Sequence, residues 1–214
     1  SVRLVVYRDY SHYPFPILNE RVTCKIGEGL DQNAVIQQKR AEAALQVIAR
    51  FGRLLDAIQP AQTFVVATAA VRRAQNGERF AQDVEAVLGY PVDVLPASEE
   101  ARLISLGLTR YYPALNGLVA DLGGGSIELV QLVDGQIRHA VSLNIGHLTT
   151  QSKKEIKAQI KDLHWLSELK GQALYGIGGS FRALGAGYIA RRSYPLKLLH
   201  GLEIPADECQ MILS

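Results

Sequence analysis

The residues able to do chemistry in this 214-residue chain gather in four short runs. The most telling is Asp121-Leu122-Gly123-Gly124-Gly125-Ser126-Ile127-Glu128, set between the apolar segments Leu118–Ala120 and Leu129–Val133. Three glycines allow backbone geometry that side chains block, and let main-chain N–H groups close in on an anion. Asp121 and Glu128 flank the turn, so across a hairpin they can approach one ion. Hard cations such as Mg²⁺ take carboxylate oxygens and keep several waters. The chemistry implied is the holding of a phosphate together with its cation. The competing reading is a plain tight turn, with Asp121 as its cap and Glu128 facing solvent.

The second run, Gly176-Ile177-Gly178-Gly179-Ser180, joins a strand to a helix and aims helix N-terminal N–H groups at an anion. A helix start packed tightly on a sheet would look the same. The third, Ala97–Ile104, puts Glu99 and Glu100 in the first turn of a helix, where the dipole favours acids even as surface decoration. The fourth, Ala67–Gly77, carries Arg72 just after a strand–helix junction, a place where ligands gather in α/β folds. A guanidinium binds phosphate bidentately, although a surface arginine is the plainer reading.

The bulk numbers narrow the partners. A net charge of +2 is too small to argue for nucleic acid. Lys153, Lys157 and Lys161 share one helix face, and Arg72-Arg73 and Arg191-Arg192 form two further clusters. These are solvated faces or a track for a polyanion. Cys24 and Cys209 lack a partner motif, which suits free thiols in a reducing cytosol better than a disulfide framework. No apolar stretch reaches the roughly 18 residues of a membrane span. With 48% apolar residues, the chain has ample material for cores.

The elements that must position these runs alternate between strands and helices, which argues an α/β architecture. Strands are expected at Val2–Arg8, Arg21–Ile26, Thr63–Ala67, Val92–Leu95, Leu118–Leu122, Ile127–Val133, Gln136–Leu143 and Ala173–Ile177. Asp134-Gly135 signals a tight hairpin between two of them. Helices are expected over Ala34–Ile58, Glu78–Leu88, Ser98 to about Tyr111 with Ser98 as cap, Gln151–Leu169, Ser180–Ala190, and from about Asp207. Ser1-Val2-Arg3-Leu4-Val5-Val6 echoes Ser126-Ile127-Glu128-Leu129-Val130-Gln131 at Ser, Leu and Val. If the echo is real, Ser1 corresponds to Ser126, just after a phosphate-binding turn.

Together the segments Ser1–Tyr7, ATAAVRRAQNG at 67–77, ASEEARLISLGL at 97–108, VADLGGGSIELV at 119–130 and YGIGGSFRALG at 175–185 resemble the exopolyphosphatase and guanosine pentaphosphate phosphohydrolase family. That family lies within the actin, hexokinase and Hsp70 superfold. The resemblance implies two RNase H-like lobes, about 1–113 and 114–214, with mixed sheets and a cleft between them. The first lobe would have its first strand and phosphate loop truncated, and the second would be incomplete at its end. The resemblance makes Glu100 the catalytic base, places Arg72 at the active site, and links Asp121 and Glu128 to the metal and the attacking water. Gly123, Gly124, Gly125 and Ser126 would form one phosphate loop, Gly178, Gly179 and Ser180 another, and Ser1 would be what survives of the first lobe's own phosphate loop. It implies Mg²⁺ or another divalent cation, and polyphosphate or guanosine penta- or tetraphosphate as partner. It also implies a cytoplasmic protein with no membrane or specific nucleic-acid partner, and leaves a homodimer open.

Departures from the family pattern are visible too. Ile127 stands where a threonine is usual, and Ala97-Ser98 where Ser-Gly is common. Longer segments are expected between Asn33 and Ala34 and between Thr150 and Gln151. Two alternatives stay open: a phosphotransferase of the same superfold, and a non-hydrolytic guanosine tetra- or pentaphosphate sensor, for which Ile127 gives slight support.

Overall fold

The computed structural model describes residues 1–10, 14–149 and 151–213. It divides into one unit of Ser1–Ala97 with Leu148–Thr150 and a second of Ser98–His147 with Gln151–Ser214. In the first unit, β1 (Val2–Tyr7) and β2 (Pro16–Val22) pair antiparallel, and β3 (Val65–Ala67) and β4 (Val92–Val94) pair parallel. The helices are α1 (Leu30–Asn33), α2 (Gln38–Ile58), α3 (Ala69–Arg73) and α4 (Gly77–Leu88). In α2, Ala44, Ile48, Phe51 and Leu55 recur at helical spacing and are buried. Ala44 and Ile48 join Phe80, Ala81 and Val84 of α4, with Val2, Val65 and Val92 from the strands packed against them.

Two expectations for this unit need correction. The strand expected at Arg21–Ile26 lies earlier, because pairing with β1 runs from Val2↔Val22 to Tyr7↔Pro16. Cys24 and Ile26, beyond the ladder, enter the core instead. The helix expected from Ala34 starts at Gln38 because Asn76 holds the preceding stretch out of it. The Asn76 Oδ1 accepts from the Ile36 N–H at 2.8 Å, and its Nδ2 donates to the Ile36 carbonyl at 2.9 Å. Ala34 itself is the left-handed cap of α1, its N–H donating to the Leu30 carbonyl at 2.9 Å. The Thr150–Gln151 junction lies outside the described residues.

The second unit is a four-stranded sheet of β5 (Gly117–Leu122), β6 (Ile127–Val133), β7 (Gln136–Leu143) and β8 (Leu174–Ile177), in the order β7-β6-β5-β8. The pairs β5–β6 and β6–β7 are antiparallel, whereas β8 runs parallel to β5. Ala101 of α5 (Ala97–Thr109) is small enough to bring that helix onto Val119, Val130 and Leu132 of the sheet. Then come α6 (Lys153–Lys161), a 3-10 helix at His164–Leu169, α7 (Gly178–Arg191) and α8 (Ala206–Leu213). The architecture is mixed α/β, as expected.

Ser98, expected as a cap, sits inside α5. The single helix expected over 151–169 breaks at Asp162, the C-cap of α6. A capping box starts α6: the Ser152 hydroxyl accepts from the Glu155 N–H, and the Glu155 carboxylate accepts from the Ser152 N–H. Lys153, Lys157 and Lys161 are all exposed on it. The Arg191-Arg192 cluster is committed to structure instead. Arg192 pairs with Glu208 at 2.6 Å and Arg191 donates to the Met211 carbonyl at 3.1 Å, which ties α7 to α8. Both cysteines are free thiols. Among the described residues, no helix is long and apolar enough to cross a membrane.

Candidate active site

The acid-flanked glycine run folds as a hairpin turn between β5 and β6, the central pair of the second unit's sheet. Asp121 and Glu128 are direct cross-strand partners. Opposed residues of an antiparallel pair project from the same face, so the two carboxylates stand side by side. Glu128 is only 3% exposed. Its Oε1 accepts from the Ser142 hydroxyl at 2.9 Å, and the Ser126 hydroxyl donates to the same carboxylate. Burial pushes the Glu128 carboxyl above the usual glutamate range; the two hydroxyls oppose that shift, and the negative charges of Glu100 and Asp121 add to it. Glu100 therefore lies within electrostatic reach of Glu128. Its neighbour Glu99 forms a surface pair with Arg102 at 2.7 Å.

The second glycine turn closes on the same acids. β8 lies beside β5 with Asp121↔Ile177 in register, and α7 begins immediately after it. Gly178 has φ +89, in the left-handed region, and a Cβ there would meet the Asp121 Oδ1 at 2.4 Å. Only glycine lets the N-terminus of α7 come so near the carboxylate, where the helix dipole favours negative charge. The Ser180 hydroxyl donates to the Leu122 carbonyl at 3.3 Å and so links α7 to the end of β5.

The 123–126 turn is narrow: the Gly123 N–H donates to the Ser126 carbonyl at 2.9 Å. Residues after β7 brace it. A Cβ on Gly146 would lie 2.2 Å from the Gly124 oxygen. The His147 Nδ1 stands 2.9 Å from the Gly123 carbonyl. Ile127 pairs with Leu122 and Leu143 and brings no hydroxyl to the turn.

Arg72 and Ser1 belong to the first unit. Arg72 Nη1 donates to the Leu95 carbonyl at 2.6 Å, at the end of β4, and the Ser1 hydroxyl accepts from Arg21 Nε at 3.1 Å. The structure thus brings together Glu100, Asp121, Glu128, the 123–126 turn and the 178–180 turn within one unit.

Three residues of this neighbourhood escape the sequence reading: Ser142, Gly146 and His147. A two-residue turn at Asp134-Gly135 alone would set Val141 opposite Glu128. An irregularity between Gln131 and Leu132 shifts the register by one and sets Ser142 there instead. Gly146 and His147 carry no local signal, since their partners lie on a turn more than twenty positions earlier.

For a divalent cation, the donor set is two side-by-side carboxylates, hard oxygen ligands of the kind such ions take. Among the described residues, no three His, Cys, Asp or Glu side chains form a closed cage. Phosphate oxygens and water would have to complete the coordination, as they do at phosphate-handling Mg²⁺ sites.

Fold and site together define an α/β protein with an acid-flanked glycine turn on its central strand and a helix N-terminus beside it. The chain belongs to the Ppx/GppA phosphatase family, whose sequence profile matches residues 5–213. It is similar to the solved Ppx/GppA family member of Aquifex aeolicus at 28% identity, with a TM-score of 0.68 over 91% of this chain and 67% of that one. An exopolyphosphatase-like protein shares the fold at 24% identity, with a TM-score of 0.73 over 88% of this chain and 66% of that one. So does an exopolyphosphatase from Cytophaga hutchinsonii, at 20% identity and a TM-score of 0.74 over 91% of this chain and 68% of that one. The chain spans about two thirds of the length of these structures.

Proposed function

We propose that this chain carries the site of a phosphoanhydride hydrolase that releases terminal phosphate from inorganic polyphosphate, from guanosine pentaphosphate, or from both. The observation that supports this most is the register of Asp121 with Glu128 across a glycine turn, with Glu100 near enough to act on Glu128. Asp121 and Glu128 would hold a divalent cation such as Mg²⁺, which when bound neutralises phosphate oxygens. Burial first, and then the charges of Glu100 and Asp121, raise Glu128's affinity for a proton, and a cation would offset the repulsion among the acids.

The main-chain N–H groups of the 123–126 and 178–180 turns are assigned to the terminal phosphoryl group, where they would stabilise its charge. The buried hydroxyl of Ser126 serves Glu128, so its phosphate contact would come from the backbone. Glu100 takes the proton of the attacking water. In phosphoryl transfer, positioning and charge stabilisation do most of the catalysis. Arg72, in the other unit, enters this proposal by family resemblance alone, as does Ser1.

The test is phosphate release from both substrates, with and without Mg²⁺, by wild-type protein and Glu100→Gln. Loss of the base is expected to lower turnover by about 10²–10⁴-fold while substrate binding stays close to wild type. Unchanged release by the variant removes Glu100 from the mechanism. Release that requires an added acceptor points to a phosphotransferase, and tight binding without turnover in wild type points to a sensor.

A further inference from the structure

The segment after β7 holds the glycine turn in a way the hairpin itself does not require. The Gly123 carbonyl accepts from the His147 N–H at 3.3 Å and faces the His147 Nδ1 at 2.9 Å. A carbonyl oxygen only accepts, so the proton of the neutral ring sits on Nδ1 and Nε2 is the free nitrogen. Gly146 makes this approach possible. A Cβ there would fall 2.2 Å from the Gly124 oxygen and 2.5 Å from the Gly125 nitrogen, both backbone atoms with little room to yield.

This grip has a directional consequence. In a planar trans peptide the C=O and the following N–H point to opposite sides. Fixing the Gly123 carbonyl toward His147 therefore fixes the Gly124 N–H away from it. Among the described residues, that N–H donates no hydrogen bond within the protein. Preset donors are what an anion site needs, because they cost no reorganisation when charge arrives.

We propose that His147 is a positioning residue of the glycine turn: by holding the Gly123 carbonyl through Nδ1, it aims the Gly124 N–H at the bound phosphate. The proposal rests on reading the 123–126 turn as a phosphate site. An asparagine amide can reproduce the Nδ1 donor, whereas a glutamine amide reproduces the position of Nε2. The test compares His147→Ala, His147→Asn and His147→Gln in Mg²⁺-dependent phosphate release from polyphosphate, with kcat and KM separated. His147→Ala and His147→Gln are expected to lose about ten- to hundredfold in kcat, somewhat less than outright removal of a hydrogen-bond donor costs. His147→Asn is expected to stay close to wild type.

Rescue by glutamine and not asparagine would mean that Nε2 touches the substrate directly, and would overturn the proposal. So would wild-type rates in all three variants. Equal losses in both amides would indicate a packing defect, and overturn it as well. Calorimetric binding of tripolyphosphate to the same series is expected to follow the same order even if wild type releases no phosphate. A failed hydrolase reading and a failed positioning role are thereby told apart.

Discussion

The β1–β2 hairpin of the first unit and the β6–β7 hairpin of the second use one scaffold for different ends. The sequence echo sets Ser1–Val6 against Ser126–Gln131, and the structure adds an independent mark of kinship. Pairing slips between Val6 and Tyr7 in one hairpin and between Gln131 and Leu132 in the other, which is the equivalent place in the echo. Bulges are built features that re-aim side chains. The contents differ. Where the second hairpin has buried Glu128, the first has exposed Arg3, which donates to Asn19 Oδ1 at 3.0 Å. In the second unit β5 joins the hairpin to β8, whereas among the described residues no strand joins β1 to β3. A bulged hairpin is therefore not a site by itself. The acids converge only where a neighbouring strand supplies Asp121, a turn supplies N–H groups, and a helix starts alongside.

If that convergence matters, breaking the contact with the neighbouring helix costs most. Gly178→Ala puts a methyl group 2.4 Å from the Asp121 Oδ1 at a φ of +89, so Asp121 or α7 must shift. Turnover is expected to fall about 100-fold, as for an ångström-scale misplacement of catalytic groups. A phosphate-release rate like wild type would mean that Asp121 is not held for catalysis.

The next effect separates the two hairpins by stability. Because the Glu128 carboxyl is raised in the folded protein, keeping it ionised costs stability at any pH above its folded pKa. Below the ordinary glutamate value it is protonated whether folded or not, and the cost vanishes. Glu128→Gln is therefore expected to raise the melting temperature at pH 8, with the gain shrinking as pH falls toward about 4. Arg3→Gln, at the equivalent place, is expected to shift it by no more than about 1–2 °C, as for an ordinary surface substitution. Thermal denaturation across pH measures both. A pH-independent gain for Glu128→Gln, or a larger effect at Arg3, would erase the contrast.

Much of the second unit is legible in the sequence because its signals are local. Asp134-Gly135 and the flanking apolar runs fix β6 and β7 at their observed bounds. The glycine run lies where a tight turn needs it, so the pairing of Asp121 with Glu128 follows. What stays hidden depends on distant partners. The start of α2 is set by Asn76, forty positions downstream of Ile36. Ser142 reaches Glu128 only through a bulge that no residue type announces. Glu99 and Glu100 look equivalent in the chain, yet in the fold one pairs with Arg102 and the other lies within electrostatic reach of Glu128.

The convergence of Glu100, Asp121 and Glu128 is tested most directly by following the Glu128 carboxyl by NMR with δ-¹³C-labelled glutamate, in wild type and Glu100→Gln. In wild type it is expected to titrate above the ordinary glutamate range, and in the variant to move down as one neighbouring charge is removed. Titration in the ordinary range in wild type, or a value untouched by Glu100→Gln, would contradict the convergence of the three acids.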